Sequence, residues 1–235
     1  MAARLIVLDT ETTGLNARLG DRIVEIGCVE LLGRSVTERH FHRYVNPGRD
    51  IEEGAAKVHG ISMEFLADKP KFAEIAKEFL DYVQGADIVI HNADFDVEFL
   101  NLELALAGLG KIADHVASVI DSLAIARELH PGRKNSLDAL CERYAVNNAH
   151  RTLHGALLDA RLLAEVYLAM TRGQESLGMD LDVPTTAAAA AAARIDAAKL
   201  SVLRASAEEE REHEKLLDGI DRVARGGSLW RKIAS

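Results

Sequence analysis

The sequence predicts an α/β fold, a mixed central sheet flanked by helices, followed by a flexible linker and a partner-docking tail. Three observations predict it. β-Branched and alternating runs fill the chain before Asn46. Apolar patterns of period 3.6 then interleave with short strands as far as Thr171, and the composition changes beyond that residue.

Residues 4–8 (RLIVL) form a β-branched run without helical period, which gives a buried strand. Residues 22–32 alternate through Ile23, Glu25, Ile26 and Cys28 and give a second strand. A Gly33-Arg34-Ser35 turn returns the chain as a third strand over 36–45, until Asn46-Pro47-Gly48 breaks the pattern. Phe72, Ile75, Ala76, Phe79, Leu80 and Val83 recur at helical spacing. A short strand over 87–90 follows, then a helix carrying Phe95, Phe99, Leu102 and Leu106 that stops near Gly108. Residues 116–120 are a strand candidate, and helices are expected over 121–129, 135–145 and 154–171. Three meandering strands followed by alternating helices and strands imply the mixed sheet.

After Thr171 periodicity lapses through Gly173, Gly178 and Pro184, and alanine fills positions 187–193. This stretch reads as a linker over 173–194. Residues 195–235 regain apolar side chains, among them Leu200, Leu216, Leu217, Ile220 and Trp230, but are too few to build their own core. An amphipathic segment behind a linker is expected to dock on a partner, with Trp230 as its anchor. The chain thus divides into a domain over 1–172, a linker over 173–194 and a docking segment over 195–235.

With 48% hydrophobic and 28% charged residues, the 235-residue chain is neither disordered nor fibrous. No apolar run is long enough to span a membrane, and the short run before Asp9 and Glu11 argues against a signal peptide. Cys28 and Cys141 lie in apolar patterns. They exclude a disulfide framework or zinc cluster and read as buried thiols of a cytoplasmic protein. The net charge of −9 lies wholly in residues 1–180, which hold 19 basic and 28 acidic residues, against nine of each in 181–235. An acidic domain either repels nucleic acid or commits its carboxylates to metal ions.

The carboxylates have a pattern. Asp9 and Glu11, in Asp9-Thr10-Glu11-Thr12-Thr13-Gly14 after the first strand, are two residues apart and point to one face. Like charges this close are costly without a cation between them, and hard oxygen donors favour Mg²⁺ or Mn²⁺. Asp96, in His91-Asn92-Ala93-Asp94-Phe95-Asp96, stands where a strand ends and a helix opens. His154 and Asp159 stand five apart at the start of a long helix, with His154 on the entering loop.

Four acids and one histidine in the order D-x-E, D, H-x4-D resemble the DEDDh 3′→5′ exonucleases of the ribonuclease-H-like superfamily. A tyrosine four residues before the last acid would mark the sister DEDDy group, and Gly155 stands there instead. The likeness extends over residues 4–172 through VHGI, NSLDAL and RTLHGALLDA. Within the family the chain resembles the proofreading exonucleases of bacterial replicative polymerases, through LDTETTG, VIHNADFD, KNSLDALC and the C-terminal GGSLWR.

The resemblance implies a ribonuclease-H-like fold and two divalent ions, Mg²⁺ or Mn²⁺, held by Asp9, Glu11, Asp96 and Asp159. Asp9 would bridge both ions, Glu11 and Asp159 would complete one site, and Asp96 would hold the neighbouring ion through water. His154 is implied as general base, since an imidazole titrates near neutrality. Thr12, His59 and Phe95 are expected to contact the terminal nucleotide alongside Asp9, Glu11 and Asp159. Relatives commonly carry an acid five residues before that first histidine, where this chain has Gly54. The implied substrate is a single-stranded or frayed 3′ end of DNA, the product a 5′-nucleoside monophosphate, and the setting the bacterial cytoplasm. The tail at 195–235 resembles a segment that binds the polymerase subunit. Gln174-Glu175-Ser176-Leu177-Gly178-Met179 resembles a sliding-clamp peptide, with Met179 replacing its aromatic anchor. A small third subunit of the polymerase core is a further expected partner. Two alternatives stay open, an RNA 3′-exonuclease and a non-catalytic polymerase scaffold. The second would be marked by a lost carboxylate.

Overall fold

The computed structural model describes residues 4–149, 151, 153–172, 205–223 and 230–231. The chain separates into two units, Met1–Met179 and Asp180–Ser235. In the first unit, β1 (Arg4–Thr12), β2 (Ile23–Leu32), β3 (Ser35–Tyr44), β4 (Asp87–Ile90) and β5 (Ser118–Asp121) form one sheet in the order β3-β2-β1-β4-β5. β1–β2 and β2–β3 pair antiparallel, whereas β1–β4 and β4–β5 pair parallel, so the sheet is mixed as expected.

The helices are α1 (Glu53–His59), α2 (Met63–Leu66), α3 (Phe72–Val83), α4 (Ala93–Leu106), α5 (Ser122–Leu129), α6 (Leu137–Tyr144) and α7 (Ala156–Met170). Short 3₁₀ turns lie at Ala17–Leu19 and Ile112–Asp114. The strand period of two sorts the core onto two faces. Ile6, Leu8, Ile26, Cys28, Ile88 and Ile90 pack with residues of α3 and α4, including Phe79 and Phe99. Val7, Leu31 and Val89 pack on the other side with Leu140, Leu163 and Val166 of α6 and α7. Cys28 and Cys141 are buried free thiols.

Two differences from the sequence reading concern the ends of the site. β1 continues through Thr12, beyond the apolar run, because Asp9 and Glu11 remain paired across to Gly27 and Glu25 of β2. α1 and α2 were not expected. Gly54, Ala55 and Ala56 give α1 no apolar period, and α2 is a single turn capped by the Ser62 side chain on the Phe65 N–H. His59 therefore ends a helix, and Gly60 closes that helix at φ +72°.

In the second unit, Ser206 and Glu209 cap α8 (Ala207–Val223) reciprocally. Three acids, Glu208, Glu209 and Glu210, complement its N-terminal dipole. Arg231 pairs with Glu214, Asp218 and Asp221 of α8, and Trp230 is exposed. The linker and clamp peptide expected at 173–194 lie outside the described residues. No helix among the described residues is long and apolar enough to cross a membrane.

Candidate active site

Asp9 and Glu11 lie near the C-terminal end of the central strand, on the Val7 face that α7 covers. Thr10 between them points to the opposite, α4 face. Its N–H and its hydroxyl both donate to Asp96 Oδ1, at 3.0 and 2.7 Å. α4 can reach this point because β4 runs parallel to β1 and delivers its helix to the same sheet edge. The reversal into α4 is made by Asn92 in the left-handed region at φ 68°. Its N–H bonds to Asp121 Oδ1, which also accepts from the Leu123 N–H.

α7 brings the last acid. Gly27 stands opposite Asp9 in the β1–β2 ladder, and a Cβ there would lie 2.2 Å from the Ala156 and Leu157 backbone. The glycine lets the first turn of α7 lie directly on the sheet, which sets Asp159 against Asp9 and Glu11. Replacing Gly27 with Ala is expected to push α7 off the sheet. We expect a loss of at least about 3 kcal/mol in stability and a steep fall in hydrolysis, read by thermal melting and by a nuclease assay.

Asp9, Glu11, Asp96, His154 and Asp159 thus line one cavity of about 260 Å³, together with Phe95, His91, Asp138 and Arg151. Ligand atoms of Glu11, His154 and Asp159 lie within 4.8 Å of one another. Burial pushes the Asp9 carboxyl well up, and the charges of Asp96, Glu11 and Asp159 add to this. Glu11 is pushed up to about 8, by burial first and then by Asp159 and Glu25. Asp96 rises to about 7 by burial, against the lowering by its Thr10 hydrogen bonds. Buried, mutually repelling oxygen donors of this kind fit a divalent cation, and a His154 nitrogen lies within 4.8 Å of oxygens of Glu11 and Asp159.

Arg151 went unassigned in the sequence reading, although it stands in the RTLHGALLDA run. Its Nε and Nη2 meet the two oxygens of Asp159 at 2.5 and 2.6 Å. Nη1 meets Asp138 at 2.6 Å, and Nη2 meets His154 Nδ1 at 3.0 Å. Only its position three residues before His154 hinted at this. Glu25, opposite Glu11 and held by His42 Nε2 at 2.7 Å, is a buried acid the motifs do not mark.

A second cavity of about 340 Å³ shares Thr10, Glu11 and Phe95 with the first and is lined further by Thr12, Leu15, Glu52, Gly54 and His59. It brings together the three expected contacts. The Thr12 hydroxyl donates to the Gly14 carbonyl at 2.7 Å, so its lone pairs remain to accept. His59 Nδ1 accepts from the Ile61 N–H at 3.0 Å, which leaves the proton on Nε2. The ring lies toward the Thr12 backbone, yet Nε2 is buried without a well-formed hydrogen bond among the described residues. Burial lowers the His59 pKa and keeps the ring neutral. Phe95 packs on Phe99 with centroids 4.9 Å apart and forms the wall between the cavities. Glu52 lines this cavity beside Gly54, so an acid is present two residues earlier than relatives place it.

A mixed sheet presenting clustered carboxylates and a histidine at one edge defines a nuclease-type centre. The exonuclease family model matches residues 6–167. DNA polymerase III subunit epsilon of Escherichia coli (strain K12) is 50% identical over 239 residues, 97% of each chain. That of Pasteurella multocida (strain Pm70) is 46% identical over 97% of this chain and 94% of its own. Among solved structures, exonuclease X in complex with 5′-overhanging duplex DNA is similar with a TM-score of 0.57 at 28% identity. That match covers 72% of this chain and 91% of the other. The chain belongs to the exonuclease family, in the group formed by the DNA polymerase III epsilon subunits. Its activity is that of a 3′→5′ exonuclease in a proofreading role.

Proposed function

We propose that the chain hydrolyses the last phosphodiester at the 3′ end of a frayed DNA strand, releasing one 5′-deoxynucleoside monophosphate per cycle. The observation that carries this reading is the convergence of four carboxylates and His154 on one cavity, adjoined by a second that Thr12, His59 and Phe95 line. Asp9, Glu11, Asp96 and Asp159 would hold two divalent cations, Mg²⁺ or Mn²⁺. Bound there, such cations supply a water of lowered pKa and stabilise the departing oxygen.

The chain's own groups do the rest. The Thr12 hydroxyl accepts the terminal 3′-OH, and His59 Nε2 donates to the terminal nucleotide. Phe95 stacks against its base and sets the phosphate over the carboxylates. His154 takes a proton from the attacking water at Nδ1, the ring atom 3.4 Å from Asp159 Oδ2. Arg151 must yield that nitrogen first. The new P–O bond forms as the bond to the 3′ oxygen of the penultimate nucleotide breaks; that oxygen takes a proton from solvent, and His154 returns its own to solvent before the next cycle.

The same reading assigns residues 1–172 to catalysis and places the chain in the DNA polymerase III core of the bacterial cytoplasm. The alpha subunit is held by 195–235, the sliding clamp by Gln174 to Met179, and a small third subunit completes the core. Tethering raises the local concentration of nuclease at the primer end. Initial rates on a 3′-mismatched DNA primer should exceed those on short RNA, and chelation with EDTA should stop both. A preference for RNA would overturn the assignment. Deletion after Arg172 is expected to keep hydrolysis within about twofold while abolishing co-purification with the polymerase. An inactive truncated chain would refute the boundary.

A further inference from the structure

A third cavity, an open groove of about 530 Å³, is lined by His91, Asn92, Leu123, Arg127, Arg133, Asn135 and Ser136. It shares His91 and Ser136 with the carboxylate cavity and no residue with the nucleoside cavity. The three therefore lie in a row, with the carboxylates in the middle. Their charges differ. Glu11 and Glu52 bound the nucleoside cavity, whereas the groove contains two arginines and no acid. Neither Arg127 nor Arg133 has a carboxylate partner among the described residues, while Arg4, Arg18, Arg22, Arg39, Arg43 and Arg49 all have one.

The groove is a built feature. Its floor is His91, whose ring is clasped between Ser122 Oγ at 3.0 Å and the Asn135 carbonyl at 2.9 Å. Burial keeps that ring neutral. The loop that carries Arg133 turns at Gly132, φ +73°, and is tied down by Arg143 through Asn135 Oδ1 at 2.9 Å and the Lys134 carbonyl at 2.7 Å.

We infer that Arg127 and Arg133 bind the phosphodiester backbone of the single strand on the 5′ side of the scissile bond. The strand carries a negative charge at every nucleotide and must leave the carboxylate cavity by one of two exits. The acidic nucleoside cavity repels phosphate and ends the strand. The arginine groove attracts it, and guanidinium forks suit phosphate oxygens. A chain with net charge −9 thus keeps two uncompensated cations where the substrate passes.

This inference rests on the reading that a strand is consumed from its 3′ end, and the test separates the two. The nitrophenyl ester of thymidine 5′-monophosphate fills the nucleoside and carboxylate cavities but places no phosphate in the groove. A single-stranded DNA decamer does both. In the full-length R127Q/R133Q variant, the ratio of kcat/KM for the decamer to that for the ester should fall about tenfold, through KM. The slope of log KM against log salt should shrink by about 1.4, at about 0.7 per phosphate contact. R127K/R133K should restore most of the slope. An unchanged ratio and slope, or parallel loss on both substrates, would overturn the inference. Failure of the unmodified chain to cleave either substrate would instead overturn the reading it rests on.

Discussion

Replacing Asp9 with Ala is expected to lower the rate of 3′-terminal hydrolysis by at least about 10³-fold, equivalent to about 4 kcal/mol of barrier. Asp9 sits at the centre of the cluster, opposite Gly27 on the central strand, and the charges of Asp96, Glu11 and Asp159 all act on it. In the proposed two-metal site, no neighbouring side chain is placed to take over the oxygens that Asp9 would supply. Folding should respond in the opposite sense. With EDTA present, the variant should melt about 3 °C higher than the unmodified chain, because one member of a repelling cluster is gone. Single-turnover cleavage of a labelled primer and a melting curve measure the two effects. A near-normal rate with Mg²⁺ would refute the two-metal reading.

The pH dependence follows from the same charges. Glu11 rises from 4.5 to about 8 and Asp96 from 3.8 to about 7 on folding. Such groups bind more protons folded than unfolded, so their contribution is full below the unfolded values and is lost as pH rises through the folded ones. The metal-free melting temperature should therefore fall between about pH 4.5 and about pH 8, and saturating Mg²⁺ should flatten the curve. A metal-free profile that rises over this range would contradict the raised carboxyl values.

How far the sequence reveals this arrangement depends on the range of the signal. Spacing of two along a strand puts Asp9 and Glu11 on one face, and the period of 3.6 marks α3 from Phe72 to Val83. Both are local, and both appear in the structure. α1 escapes because its small residues carry no pattern, although it delivers His59 to the nucleoside cavity. The meeting of Asp96 with Thr10 spans 86 positions, and that of Gly27 with α7 depends on which strands adjoin. Those contacts follow from the sheet order, which no periodicity encodes. Motif resemblance supplied the set Asp9, Glu11, Asp96, His154 and Asp159, but it left out charges of the wrong sign. No period or spacing marks Arg151, Arg127 or Arg133; the fold sets Arg151 against Asp159 and places the other two in the adjoining groove.

Arg151 carries the second large expectation. Its side chain and that of Asp159 are 6% and 4% exposed, and the guanidinium engages both carboxylate oxygens. Substitution by Gln strands a buried carboxylate, which costs about 3 kcal/mol when one partner of such a pair is removed. In EDTA the Arg151→Gln chain should melt about 9 °C lower than the unmodified chain. Adding Mn²⁺ should recover more of that loss than it adds to the unmodified chain, because a bound cation takes over neutralisation of Asp159. In the proposed site the guanidinium and a divalent cation would compete for the same Asp159 oxygens. Calorimetric titration should therefore show Mn²⁺ binding about tenfold tighter once Arg151 is gone, although the protein is less stable. Weaker binding in the variant would mean that Arg151 orients the donors instead of competing for them. The opposed signs of the two readouts, lower stability and higher metal affinity, separate a counter-ion from a side chain that only fills space.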